Sequence, residues 1–157
     1  MFKSKDEVRT LKGRVTVSVR EGDNTQVIQR TNTIVDKFEK ACVRSLAHLV
    51  SDASDFLPSR FDVGTSDQPT TTDMNSLVAG LSLNLSLPTI TTVVFPNSPD
   101  ETSVKWIIVL PISAAVGQVL MEAGIFNLHG DMLARVTHIP VTKSNIMEVQ
   151  YDWEWYF

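Results

Sequence analysis

In the stretch from residue 146 to residue 157 apolar and polar side chains alternate from Met147 onward. Met147, Val149, Tyr151, Trp153, Trp155 and Phe157 take every second position, and Glu148, Gln150, Asp152, Glu154 and Tyr156 fall between them. A period of two predicts an extended strand with one face in a core and an acidic face in water, since a helix would scatter the same residues around its axis. Large aromatic side chains bury about 150–250 Å² each. This strand is therefore expected to supply much of the core.

The same alternation recurs along the chain. Val15, Val17 and Val19 interleave with Arg14, Thr16, Ser18 and Arg20, and the turn formers Gly22, Asp23 and Asn24 precede a second short strand over residues 26–29. That pattern predicts a β-hairpin. Asn32 or Thr33 then offers a helix N-cap. Ile34, Phe38, Ala41, Cys42, Ser45, Leu46 and Leu49 recur at three- and four-residue spacing, while Asp36, Lys37, Glu39, Lys40, Arg44 and His48 lie on the other side. An amphipathic helix running to about residue 50 is expected, with one side on the sheet.

Residues 51–55 read as a loop, residues 60–64 as a short strand and residues 65–75 as a polar surface loop, ending in a helical turn near residues 74–79. Leu81, Leu83, Leu85 and Leu87 alternate with Ser82, Asn84 and Ser86, which predicts a half-buried strand bending at Pro88 and continuing to Phe95. After a turn at residues 97–100 comes Trp106-Ile107-Ile108-Val109-Leu110, apolar on both faces, with Pro111 limiting its ladder. A hairpin over residues 120–139 turns at His129-Gly130-Asp131, and the closing strand follows a bend at residues 140–145. Short connections favour antiparallel neighbours. The fold class expected is mainly β, an antiparallel β-sandwich or flattened barrel of about eight strands with one amphipathic α-helix packed on it.

At 157 residues the chain suits a single β-rich domain over residues 1–157, with residues 1–11 as an extended N-terminal arm. The composition, 43% hydrophobic and 20% charged, excludes a disordered chain. No apolar run is long enough to span a bilayer, and the first ten residues lack the apolar stretch of a signal peptide, so the chain is expected to be used without secretion and away from membranes. One cysteine, Cys42, excludes an internal disulfide framework. Net charge is −4, yet Lys3, Lys5, Arg9, Lys12, Arg14 and Arg20 cluster near the start. With Asp6 and Glu7 interleaved and no aromatic residue between Lys3 and Arg30, this is a poor nucleic-acid platform. Lysine and arginine here suit a solvated arm, a guarded strand edge or docking onto an acidic neighbour.

Patterns for chemistry are sparse. His129, Asp131 and His138 form a familiar metal-ligand set, but the first two flank a tight-turn glycine and the third lies seven residues along the return strand. Cys42 and His48 stand more than a hundred degrees apart on one helix. No nucleophile elbow, phosphate loop or dinucleotide fingerprint occurs. Asp52, Asp55, Asp62, Asp67 and Asp73 are hard-cation donors by type but follow no calcium-loop order, and read as caps and turns. No catalytic residue, cofactor or metal is therefore expected. Glu122 differs, because it falls among Leu120, Met121, Ala123 and Ile125. A buried carboxylate requires a partner, either Arg135 on the adjacent strand or a subunit boundary. Trp106, Phe126, Tyr151, Trp153, Trp155 and Phe157 are read as core aromatics. Exposed on a surface, the tryptophans would instead suit stacking on sugar rings.

The stretch VLMEAGIFNLHGDMLARVTHIP, followed by MEVQYDWEWYF, resembles small structural proteins of tailed bacteriophages. There a Glu-x-Gly strand ending in Phe leads to a Gly-Asp turn, an Ala-Arg strand and a closing strand of alternating aromatic residues. The matching positions are Glu122, Gly124, Ile125, Phe126, Gly130, Asp131, Ala134, Arg135, Trp153, Trp155 and Phe157. The strand from Phe61 to Ser66, Phe-x-Val-Gly-Thr-Ser, and the helix before it are similar in outline. The resemblance implies a non-enzymatic virion component at the tail, baseplate or fibre-attachment region, or a capsid decoration protein. It would be assembled in the host cytoplasm against other virion proteins and copies of itself, without nucleic acid or membrane. A carbohydrate-binding module for a cell-surface glycan is the rival expectation. The candidate interface is Lys3, Lys5, Arg9 and Lys12 with the loop Thr70, Thr71, Thr72 and Asp73, together with the edges of the terminal strands.

Overall fold

A computed structural model describes residues 11–47, 54–96 and 102–156. Within them the chain forms β1 (Lys12–Glu21), β2 (Asn24–Ile34), α1 (Asp36–Leu46), β3 (Arg60–Gly64), β4 (Leu85–Ser86), α2 (Leu87–Ile90), β5 (Thr91–Val94), β6 (Ser103–Leu110), β7 (Val119–Phe126), β8 (Met132–Thr142) and β9 (Glu148–Tyr156). All nine strands join one antiparallel sheet in the order β4-β3-β7-β8-β2-β1-β9-β6-β5. The sheet curls into a half-barrel, so the expected mainly β fold with a packed helix is what forms.

β2 makes the curl. It pairs with β1 as far as Asn32 and then with β8 at Thr33 and Ile34, so one long strand serves two leaves. Gly22, at φ 58, supplies the positive φ needed at the start of the two-residue turn before it. The first leaf turns inward rows that run across its strands. Trp106, Trp153 and Val15 form one row, and Ile108, Tyr151, Val17 and Ile28 form the next. The second leaf faces them with Phe61, Ile125 and Ala134. The Phe61 ring lies 5.2 Å from Tyr151 and 6.5 Å from Trp153, which closes the core. Trp153 and Tyr151 are fully buried. Each such side chain contributes roughly 1.5–3 kcal/mol.

The outward face of the first leaf is charged in a complementary way. Arg14 stands opposite Glu154 and pairs with it at 2.6 Å, and Arg20 meets Glu148 at 3.1 Å. The basic residues of β1 and the acidic residues of β9 are cross-strand neighbours. For the same reason the expectation that the terminal strands form sheet edges is overturned. β1 is flanked by β2 and β9, and β9 by β1 and β6. The edges are β4 and β5, and the helical turn α2 with its buried Leu87 bridges them across the open seam.

Other expectations are corrected by local geometry. The helix starts at Asp36, not after Asn32 or Thr33, because both those residues still belong to β2. Phe38 and Ala41 are buried as the stripe requires, whereas His48 and Leu49 lie outside the described residues. No helical turn forms at residues 74–79. Residues 81–87 keep the expected alternation of burial, but only Leu85 and Ser86 pair as a strand. Ser82 at φ 57 and Asn84 at φ 48 are left-handed, which breaks a ladder at every second residue. β6 is half-exposed along much of its outward side, with Val109 at 37%. Phe126 is not part of the main core. It sits on the opposite face of the second leaf with Val35, Leu77 and Met132. Trp106 is half-buried against Trp155, and Phe157, like the turn at residues 97–100, falls outside the described residues.

Candidate functional site

The outer face of the second leaf carries the unusual chemistry. Alternation that sends Phe61, Ile125 and Ala134 inward sends Asp62, Gly124 and Arg135 outward in one row, with Glu122 and Gly64 paired in the next. Glu122 and Arg135 are thus diagonal neighbours across the missing side chain of Gly124. Both are fully buried. Arg135 Nε donates to Glu122 Oε2 at 2.8 Å, and Nη2 lies 2.8 Å from the same oxygen. The partner expected from sequence for a carboxylate in an apolar strand is the one found.

What buries the pair is the segment from residue 65 to residue 84, laid across the sheet as a strap. Three charged side chains hold it at three points. Arg135 Nη1 donates to the Gln68 carbonyl at 2.8 Å and to Thr70 Oγ1 at 2.7 Å. Glu122 accepts from the main-chain N–H of Ala79 at 2.7 Å and of Val78 at 3.1 Å. Asp62 Oδ1 accepts from the N–H groups of Val63 at 2.9 Å and Leu83 at 3.0 Å. A buried carboxylate is tolerable when several N–H dipoles face it. For Asp62 burial still dominates and raises the pKa above the ordinary carboxylate value, partly offset by those amides.

Leu77 plugs the strap into the face. Gly124 makes room for Leu77, and Gly64 for the Glu122 carboxylate and the Ala79 carbonyl. A Cβ on Gly124 would stand 3.0 Å from Leu77 Cδ2, and one on Gly64 would stand 2.4 Å from Glu122 Oε1 and 2.6 Å from the Ala79 carbonyl. The Glu-x-Gly spacing therefore has a packing reason. The glycine is the floor under Leu77, and the glutamate holds the main chain beside it.

The strap presents the central part of the expected interface. Thr70 is turned inward to Arg135, whereas Thr71, Thr72 and Asp73 are exposed. Thr71 Oγ1 donates to Asp73 Oδ1 at 2.5 Å, and the Thr72 carbonyl accepts from the Asp36 N–H at 2.8 Å, tying the loop to the start of α1. Lys12 is exposed at the start of β1, while Lys3, Lys5 and Arg9 lie outside the described residues. Beside the strap runs a polar cleft of about 380 Å³, lined by Arg60, Asp62, Ser82, Asn84 and the half-buried Phe126 among others.

The other candidates are dispersed. His129 pairs with Asp55 at 3.5 Å. Asp131 pairs with Lys37 and accepts from Asn127 Nδ2 at 3.2 Å, and these contacts hold its pKa below the usual range. His138 points into the core, where Nδ1–H donates to the Ile139 carbonyl at 2.8 Å and Nε2 accepts from Tyr151 O–H at 3.2 Å. Burial lowers its pKa. Among the described residues no three histidine, cysteine or acidic side chains come together as metal ligands. Asp52 lies outside the described residues.

Sequence reading missed three buried polar anchors. Asp62 lies on the strand expected over residues 60–64, now β3, but reads with the other acids as a cap or turn residue rather than as an anchor. Asn127 is buried and locks the turn through the Asp131 N–H at 2.8 Å and the Asp55 carbonyl at 3.0 Å. Lys143, 1% exposed, donates to the carbonyls of Ile112 and Ser144 at 2.7 Å each, and burial lowers its pKa. Only Asp62 had a sequence signal, its place between Phe61 and Val63 in a short strand. No family model matches the chain, and no match was found among curated proteins or solved structures.

Proposed function

We propose that the chain is a non-enzymatic structural component of a tailed-phage virion. It assembles in several copies at the tail, baseplate or fibre-attachment region, or as a capsid decoration, through packing and strand-edge contacts with copies of itself and other virion proteins. The observation that carries this reading is the use made of the motif residues. Glu122, Gly124 and Arg135, which bear the resemblance, are buried and hold a strap whose exposed tip is Thr71-Thr72-Asp73. A loop fixed from beneath by an ion pair is pre-organised, which lowers the entropy lost when a partner docks on it. Among the described residues β4 and β5 are the sheet's edges, the place where strand addition would occur.

The test is absolute mass by light scattering over a dilution series, for the parent and for a Thr71→Ala/Thr72→Ala/Asp73→Ala variant. A closed oligomer that dissociates in the variant at unchanged melting temperature supports assembly through the strap. A parent that stays monomeric and also fails to join particles made in infected cells would sink the reading.

The glycan reading rests on different atoms than the sequence suggested. Trp153 and Trp155 are buried in the core and cannot stack on a sugar. The cleft beside the strap, with Phe126, Asp62, Arg60 and Asn84, is the alternative place for a diol-bearing ligand. Titration with a panel of monosaccharides, followed by chemical shifts at Leu83 and Asn84, decides it. Silence across the panel removes this rival.

A further inference from the structure

The polar cleft beside the strap is lined by two charges that nothing in the fold balances. Arg60 and Asp62 are alternate residues of β3, so both stand on its outer face, and both belong to the cleft wall. Alternate residues of a strand lie about 7 Å apart. Among the described residues neither enters an ion pair, with the other or with any third side chain, and Arg60 makes no side-chain hydrogen bond.

Asp62 is the more telling of the two, because it is only 8% exposed. Its Oδ1 accepts from the N–H groups of Val63 and Leu83, and the Ser82 amide faces the same carboxylate. Amide dipoles solvate a charge without cancelling it. Arg135, the buried guanidinium of this face, is taken by Glu122 and by the strap. Burial therefore raises the Asp62 pKa, and Glu122 adds to the effect. A carboxylate so placed is costly until a positive group completes it. The surroundings suit a small ligand. Phe126, the cross-strand partner of Arg60, is half-buried and gives the cleft an apolar side. Ser82 and Asn84, also on the wall, hold left-handed backbone at φ 57 and φ 48, and strained non-glycine backbone collects at ligand clamps. The volume of about 380 Å³ is that of a small-molecule site.

We propose that this cleft binds a small zwitterion of the amino-acid class, its ammonium on the Asp62 carboxylate, its carboxylate on the Arg60 guanidinium and its carbon side chain along Phe126. Charge and spacing select this class. A neutral molecule leaves both protein charges unbalanced, and a simple amine or a simple acid leaves one. Charge-assisted hydrogen bonds are about 2.8 Å long, so an ammonium and a carboxylate on neighbouring carbons bridge two groups that stand too far apart to pair directly.

The probes are L-alanine and β-alanine, with ethylamine and propionate as their single-charge relatives. Each is titrated into the full, isotope-labelled chain while the amide shifts of Gly80, Leu83 and Asn84 are followed. At least one of the two amino acids is expected to give saturable shifts and to bind at least about tenfold more tightly than either relative, the factor a charged hydrogen bond supplies. Arg60→Gln should weaken that binding about tenfold and leave ethylamine unaffected. Asp62→Asn should weaken it by a similar factor and leave propionate unaffected. If Asp62→Asn loosens the strap, Arg60→Gln still decides, since it removes no side-chain hydrogen bond of the fold. Millimolar amino acid without saturable shifts, or an Arg60→Gln variant that binds as the parent does, would overturn the proposal. So would shifts with neutral monosaccharides and none with either amino acid, a result that gives the cleft to the glycan reading.

Discussion

The two faces of the second leaf are built on opposite principles. Its inner face, with Phe61, Ile125 and Ala134, meets Tyr151 and Trp153 by apolar contact, with the His138–Tyr151 hydrogen bond as a polar addition. Its outer face, with Asp62, Glu122 and Arg135, meets a strap through hydrogen bonds and one plugging leucine. Apolar contact is non-directional and tolerates repacking, so the inner face secures the fold. Buried charges bind only where partners stand at the right distance and angle, so the outer face selects one loop conformation out of many. Stability and loop position therefore reside on opposite sides of the same strands.

That division is open to attack from both sides. Trp153→Ala should cost about 3–5 kcal/mol in denaturant melts, while the amides of Val78, Ala79 and Leu83 keep their hydrogen-exchange protection until the whole domain unfolds. Arg135→Ala should cost about as much, roughly 3–5 kcal/mol, because it leaves the Glu122 carboxylate buried and unpaired. Here the same three amides should exchange well before global unfolding. The double replacement Glu122→Leu with Arg135→Met separates the two roles. It should return global stability to within about 1–2 kcal/mol of the parent and still leave the strap released; a strap that stays protected would show that Leu77 alone holds it.

Gly64→Ala is the steric counterpart. A Cβ there would press on Glu122 Oε1 and on the Ala79 carbonyl, and the strap must lift, at about 1–3 kcal/mol. The pH dependence probes the inner face. The pKa of His138 is lowered in the fold, so as pH falls below the ordinary value of 6.5 the unfolded chain takes up the proton first and stability declines until the lower folded value is passed. His138→Gln should flatten that slope. Asp62 runs the other way, since its raised pKa makes the fold bind the proton first, and its contribution is lost as pH rises through that raised value from the ordinary 3.8. The smallest effect belongs to the solvent face of the first leaf. A double-mutant cycle on Arg14 and Glu154 should give under about 1 kcal/mol, because the Arg14 side chain is 48% exposed and water screens the pair.

Much of this arrangement was legible along the chain. The closing strand, the first hairpin, the helix stripe at Phe38 and Ala41 and the strand at residues 60–64 all follow from periodicity. Glu122 announced itself as a carboxylate among apolar neighbours, and Arg135 was the nearest cation on the return strand. Residues 81–87 show where the reading stopped. Alternation of leucine with Ser82 and Asn84 reports which side chains are buried, and the left-handed backbone there achieves the same burial without a ladder. The helix start was misplaced because Asn32 and Thr33 can cap a helix or pair in a strand, and β8 was there to pair with Thr33.

Sequence by itself determined which side of each strand faces a core, where the first hairpin turns and that one buried glutamate needs a cation, since all of these depend on residue type and local spacing. Only the tertiary structure decided that β1 and β9 lie side by side in mid-sheet, that the edges are β4 and β5, and that Asp62, Glu122 and Arg135 hold residues 65–84 across one face. The physical reason is the range of the interactions. Periodicity records contacts with a generic interior, whereas strand order and a strap's anchors depend on pairs such as Arg135 and Gln68, 67 residues apart, which no local pattern encodes.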